Sequence, residues 1–177
     1  MVWCTRLALL LLAVLPCVAS AAGADQETGQ PPKPSARMGT GRPATVLFMC
    51  PHGAAKSVLA SAYFQRLAKK RGLNVRVESG GTEPDPAVSS AVAAHLAKNG
   101  YQVPVETPRK VSAEQFQTAD VVISLGCDLT GLPARRGVLQ RWDEVPGPGE
   151  NFAAADEAIR KRVVALIEEL SKKPARH

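Results

Sequence analysis

The run Thr45-Val46-Leu47-Phe48-Met49 passes without a break into Cys50-Pro51-His52-Gly53-Ala54-Ala55-Lys56-Ser57 and then into a helical pattern. That order constrains the fold more than any other feature. The first piece is apolar and rich in β-formers, as a strand buried on both faces must be. The last piece, 56–71, carries Val58, Leu59, Ala62, Tyr63 and Leu67 at helical spacing. Its closing turn holds Lys69, Lys70 and Arg71, and Gly72 stops it. Val75-Arg76-Val77-Glu78 then reads as a short strand closed by Ser79-Gly80-Gly81. Residues 86–98 read as a second helix, with Pro86 at its start and Asn99-Gly100 at its stop. A helical turn over 112–116, a buried strand over 121–125 and a fourth strand over 137–142 follow. The last helix, 153–170, has Ala158, Ile159, Val163, Leu166, Ile167 and Leu170 as its stripe. The expected fold class is therefore α/β: a doubly wound, four-stranded parallel sheet of order 2-1-3-4 with helices on both faces. Ligands of such sheets bind past the carboxyl ends of the strands, which directs attention to the first strand–helix loop.

Composition permits this. Of 177 residues, 45% are hydrophobic and 21% charged, which excludes general disorder, collagen and a polytopic membrane protein. Aromatics are only 5%, so an aliphatic core is expected. The net charge of +6 comes without a dense basic run before the last few residues, so no nucleic-acid partner is expected.

The first 24 residues read differently. Arg6 precedes the apolar run 7–15, Pro16 interrupts it, and Ala19-Ser20-Ala21 and Ala22-Gly23-Ala24 supply small residues at an exit. This is the pattern of a cleaved signal peptide, too short for a span, and it implies a periplasmic or secreted protein with no membrane contact after cleavage. Cleavage removes Cys4, Cys17 and Arg6, leaving two cysteines and 21 Lys+Arg against 16 Asp+Glu, a charge of +5. Residues 25–43 hold four prolines and almost nothing apolar, and read as a disordered linker. The domain is expected over 44–172, with a basic tail at 173–177.

The loop carries the chemistry. A small-residue connection between strand and helix directs successive N–H groups into one concavity, backed by the helix N-terminus, and so forms an oxyanion nest from Pro51, His52, Gly53, Ala54, Ala55, Lys56 and Ser57. Cys50 stands at its mouth. The N–H dipoles and Lys56 favour the thiolate there, and Ser57 is placed to donate to the sulfur. His52 is expected to play a modest part at the site, and His95 a structural one. Three scattered histidines and two cysteines give no ligand spacing, so no metal and no cofactor are expected.

Cys50-x5-Lys56-Ser57 resembles the Cys-x5-Arg-Ser phosphate loop of the low-molecular-weight protein tyrosine phosphatase family, which shares its fold with the thioredoxin- and mycothiol-linked arsenate reductases. Glu78-Ser79-Gly80-Gly81-Thr82 is similar to that family's Ser-Ala-Gly-Thr stretch. Asp85-Pro86 is similar to its next helix opening, and Ala119-Asp120-Val121-Val122-Ile123 to its Ala-Asp-Val-Ile-Ile strand. The resemblance spans 45–170. It departs at Lys56, where the family has Arg, a bidentate clamp that a lysine point charge cannot reproduce. It departs again at Gly53, where a loop-bracing Asn is usual, and at Ala55, where a second Cys often stands.

The resemblance implies a phosphate- or arsenate-type oxyanion substrate. In a phosphatase, Cys50 is the nucleophile, Lys56 binds the phosphoryl oxygens and Asp143 is the general acid, with Glu144 second. In an arsenate reductase, Cys127 is the candidate resolving thiol, and a Cys50–Cys127 disulfide is reset by an external thiol reductant. The third alternative, motivated by Lys56 and Gly53, is an anion-binding pseudoenzyme.

Overall fold

The computed structural model describes residues 42–172. The leader at 1–24, nearly all of the linker and the tail at 173–177 lie outside the described residues.

The chain runs β1 (Ala44–Cys50), α1 (Lys56–Lys70), β2 (Val75–Gly81), α2 (Ser90–Lys98), α3 (Ala113–Thr118), β3 (Val121–Ser124), β4 (Val138–Arg141) and α4 (Phe152–Lys172). The sheet order is β2-β1-β3-β4 and every pairing is parallel. This is the expected doubly wound topology.

Side-chain alternation along β1 divides the core. Val46, Phe48 and Cys50 face α1, α2 and α4, where Leu59, Phe64, Leu96, Ile159, Val163 and Ile167 meet them. Leu47 and Met49 face the opposite layer, with Val111, Phe116, Val122 and Cys127. β1 and β3 are buried along almost their whole length, as their apolar composition requires. β4 is the exposed edge, with Val138 and Leu139 open to solvent.

Three expectations need correction. The core is not simply aliphatic: Phe48 lies 5.4 Å from Phe64 and 6.1 Å from Trp142, ring to ring, and all three are fully buried. β2 does not close at Ser79 but pairs with β1 as far as Cys50↔Gly81. The second helix does not begin at Pro86 but at Ser90. Backbone N–H groups of Glu83, Asp85 and Ser89 donate to carbonyls of the first loop, and these tertiary bonds hold 82–89 out of helix.

Asp120 ties down the start of the sheet. It accepts a fork from Arg42 at 2.9 and 3.1 Å and the Thr45 N–H at 2.8 Å. α3 leads into β3, and its N-terminus carries a reciprocal cap between Ser112 and Gln115.

Candidate active site

β1 ends at Cys50 and α1 starts at Lys56, so residues 51–55 make the turn between them at the carboxyl end of the sheet. Gly53 sits at φ +62° and donates its N–H to the Cys50 carbonyl at 3.3 Å. The turn presses against the end of β2. A Cβ on Gly53 would lie 2.7 Å from Gly81 N, and one on Gly81 would lie 2.6 Å from Gly53 N and 2.7 Å from the Pro51 carbonyl. Both positions need glycine, and at Gly53 the left-handed φ adds a second reason. No Asn side chain fits at Gly53 without moving β2, and the buried Ser79 Oγ, two residues before Gly81, has no hydrogen-bond partner among the described residues.

Carbonyls leave the loop outward. Pro51, His52 and Ala54 accept from the N–H groups of Glu83, Asp85 and Ser89 at 2.9, 3.0 and 3.0 Å. In a trans peptide the N–H points opposite to the C=O, so the amides of His52 and Ala55 face the other way. Ala55 is the N-cap of α1 and supplies no side-chain cap. Among the described residues, no acceptor takes the N–H groups of His52, Ala54, Ala55, Lys56 or Ser57. These donors, with the helix N-terminus behind them, suit a tetrahedral oxyanion.

Cys50 and Ser57 are buried together, with Sγ and Oγ hydrogen-bonded at 3.2 Å. The thiol donates to the hydroxyl, and the hydroxyl donates to a thiolate. Ser61 Oγ donates to the Ser57 carbonyl at 2.8 Å and steadies that turn. Lys56 lies at the side of the loop. Its Nζ donates to the Val145 carbonyl at 3.2 Å and would touch any Cβ on Gly126 at the same distance. Gly126 in turn donates its N–H to Asp143 Oδ1 at 3.1 Å, while Arg141 Nε holds Asp143 Oδ2 at 2.6 Å. The structure thus brings Lys56, Gly126, Asp143 and Val145 into one rim. Glu144 turns away to pair with Arg162.

Cys127 is placed differently. It is buried against Met49 and Phe116, on the opposite face of the sheet from the Cys50 side chain. Burial, with a smaller push from Cys50, raises its thiol to about 11. Both cysteines are free. Cys127 nonetheless feels the charges of Cys50, Lys56 and Asp143, so it stands within electrostatic reach of the loop.

His52 stands exposed on the loop, its Nδ1 3.3 Å from Asp85 Oδ1, with the two side chains 64% and 49% accessible. The sequence pointed to His52 but not to Asp85. Asp85 read only as a helix opener, although the paired prolines around it mark a rigid turn. His95 lies between helices with Tyr63, Asp156 and Arg160, the structural placement expected of it. Among the described residues no group of three or more His, Cys, Asp or Glu is arranged to hold a metal ion, and no helix is long and apolar enough to cross a membrane.

A parallel sheet of this order with a cysteine ending its first strand inside an amide-lined loop is the arrangement of a class of cysteine-dependent enzymes that includes phosphatases and arsenate reductases. Residues 45–132 match the low molecular weight phosphotyrosine protein phosphatase family. A Halobacterium salinarum protein named "Putative arsenate reductase" is 29% identical over 129 residues, covering 70% of this chain and 91% of its own. The protein-arginine-phosphatase of Bacillus subtilis is 29% identical over 87 residues, 45% of this chain and 54% of its own. The solved structure of YfkJ from Bacillus subtilis superposes with a TM-score of 0.68 at 22% identity, over 76% of this chain and 98% of that one. The chain belongs to the superfamily of low-molecular-weight protein tyrosine phosphatases and arsenate reductases.

Proposed function

We propose that the protein hydrolyses phosphate monoesters through a phosphocysteine on Cys50. One observation carries this reading: the Cys50–Ser57 pair sits at the foot of a loop whose His52, Ala54, Ala55, Lys56 and Ser57 amides are unspent among the described residues. A nucleophile with an oxyanion cradle is complete without a second thiol. Cys50 Sγ attacks phosphorus, an S–P bond forms, and the P–O bond to the leaving group breaks with its electron pair going to that oxygen. Water then attacks the phosphocysteine, phosphate leaves, and the thiolate returns to the Ser57 hydroxyl. Loop amides hold the equatorial oxygens throughout. Lys56 spends one donor on Val145 and keeps two for the anion.

The composition of residues 1–24 supports an exported enzyme acting outside the cytoplasm, in the periplasm or beyond.

The test uses the protein lacking residues 1–24, an aryl phosphate, and arsenate with small thiols or thioredoxin. Hydrolysis that Cys50→Ser lowers by on the order of 10⁵-fold or more, and that Cys127→Ser leaves within about threefold, supports the proposal. Thiol-dependent arsenite production requiring both cysteines assigns arsenate reduction instead. Phosphate binding with neither activity assigns an anion-binding pseudoenzyme.

A further inference from the structure

Expulsion of an alkoxide or phenoxide needs a proton, and the residue expected to give it, Asp143, has both oxygens occupied. Arg141 Nε holds one at 2.6 Å and the Gly126 amide the other at 3.1 Å. These two partners fix where the carboxylate points.

A second acid–base pair stands on the loop itself. His52 is two residues from Cys50, and Asp85 grips it twice. The Asp85 N–H donates to the His52 carbonyl at 3.0 Å, and the Asp85 carboxylate lies 3.3 Å from His52 Nδ1. Glu83 N–H on the Pro51 carbonyl fixes the preceding peptide at 2.9 Å. Pro84 and Pro86 flank Asp85 and restrict the backbone that presents it. A carboxylate beside Nδ1 favours hydrogen on that nitrogen, with Nε2 then the nitrogen turned to exchange a proton. The ring is largely open to solvent, on the same loop as Cys50.

We propose that His52, oriented by Asp85, is the proton donor and acceptor of the reaction. This rests on the phosphatase reading above. In the first step imidazolium Nε2–H passes its proton to the leaving oxygen as the P–O bond breaks, and His52 becomes neutral with Nδ1–H on Asp85. In the second step neutral Nε2 takes a proton from the water that attacks phosphorus. The S–P bond breaks with its electron pair returning to sulfur, and the imidazolium is restored. No outside oxidant or reductant is required. His52 is the catalytic residue and Asp85 a positioning residue.

The decisive measurement is kcat/KM over a leaving-group series: 2,4-dinitrophenyl, 4-nitrophenyl and phenyl phosphate. A general acid matters most for the worst leaving group. His52→Gln should cut phenyl phosphate turnover by about 10²–10³-fold and leave 2,4-dinitrophenyl phosphate within about threefold. Asp85→Asn should show the same slope at about tenfold, and Asp85→Glu should recover most of it. A loss equal across the series, or no loss, overturns the proposal while leaving the phosphatase reading intact. The steep slope appearing in Asp143→Asn instead, with His52→Gln flat, overturns it in favour of Asp143. A wild-type protein that cleaves none of the three esters overturns the phosphatase reading and the dyad with it. Unchanged melting temperatures for these exposed substitutions separate chemistry from folding.

Discussion

The protein carries two histidine–aspartate pairs, and they are opposites. His95–Asp156 lies between α1, α2 and α4, with side chains 24% and 17% accessible. Its polar groups are closely interlocked. Asp156 accepts from Tyr63 and from Arg160 Nε at 2.9 Å; Arg160 also donates to the hydroxyls of Tyr101 and Tyr63 at 3.1 and 3.0 Å; and its guanidinium stacks 4.0 Å above the Tyr63 ring. His52–Asp85 is open to water, on a loop where the His52, Ala54, Ala55, Lys56 and Ser57 amides have no partner among the described residues. The same residue types make a fastening in one place and a reagent in the other. The difference is how much hydrogen-bonding capacity remains unspent. A saturated network rigidifies, whereas unspent donors held in place await a ligand.

The contrast is broken most strongly at Asp156. Asp156→Ala leaves Arg160, Tyr63 and His95 without their common acceptor in a half-buried site. Chemical denaturation should show a loss of about 2–4 kcal/mol, with kcat of the folded fraction unchanged. A large fall in kcat with stability intact would mean the two regions are not separate in role. Acid probes the same carboxylate. Burial alone would raise it, but the hydrogen bonds from Arg160 and Tyr63 prevail and hold it below the usual Asp value of 3.8. Such a group stabilises the fold above that value and loses its contribution as pH falls through its own depressed value. Denaturation midpoints should therefore drop below about pH 4 in the wild type, and less steeply in Asp156→Asn.

Next in size is Gly53→Ala. The new Cβ meets Gly81 N at 2.7 Å and the φ of +62° is strained for any side chain. A stability loss of about 1–3 kcal/mol is expected, together with weaker phosphate binding by isothermal calorimetry. The smallest effect sharpens the comparison by adding capacity to the open region. In Lys56→Arg, one guanidinium N–H keeps the Val145 carbonyl and others turn toward the anion. Steady-state assay should show kcat/KM rising about tenfold, the worth of one charge-assisted bond. An unchanged or lower rate would remove Lys56 from the oxyanion.

The sheet order, the Cys50 loop and every strand were legible because apolar runs and helix stops are local signals. Pro86 misled because hydrogen bonds to 51–54 outweigh its preference for a first helical turn. Gly53 read as a weakened brace. Its contact with Gly81, twenty-eight positions along, shows the brace replaced by close backbone packing, which no local pattern encodes. Nor did the sequence reveal that Cys50 and Cys127 face different layers, since a turn at Gly126, φ +83°, lies between β3 and the second cysteine. Asp85 and the Tyr63–Asp156–Arg160 network went unread for the same reason. Their partners are distant in sequence.

The three carbonyls of the loop that accept from Glu83, Asp85 and Ser89 make the anion nest a product of the assembled sheet rather than of eight consecutive residues. Its donors converge only after β2 has docked and the following turn has closed over it. Occupancy and folding are then thermodynamically linked: an oxyanion that binds only the finished nest holds the whole domain together. Phosphate at a hundred times its dissociation constant would deepen the native well by about 2.7 kcal/mol. The chain would thus fold more securely in phosphate-rich surroundings than in dilute ones, with the anion itself serving as a folding ligand.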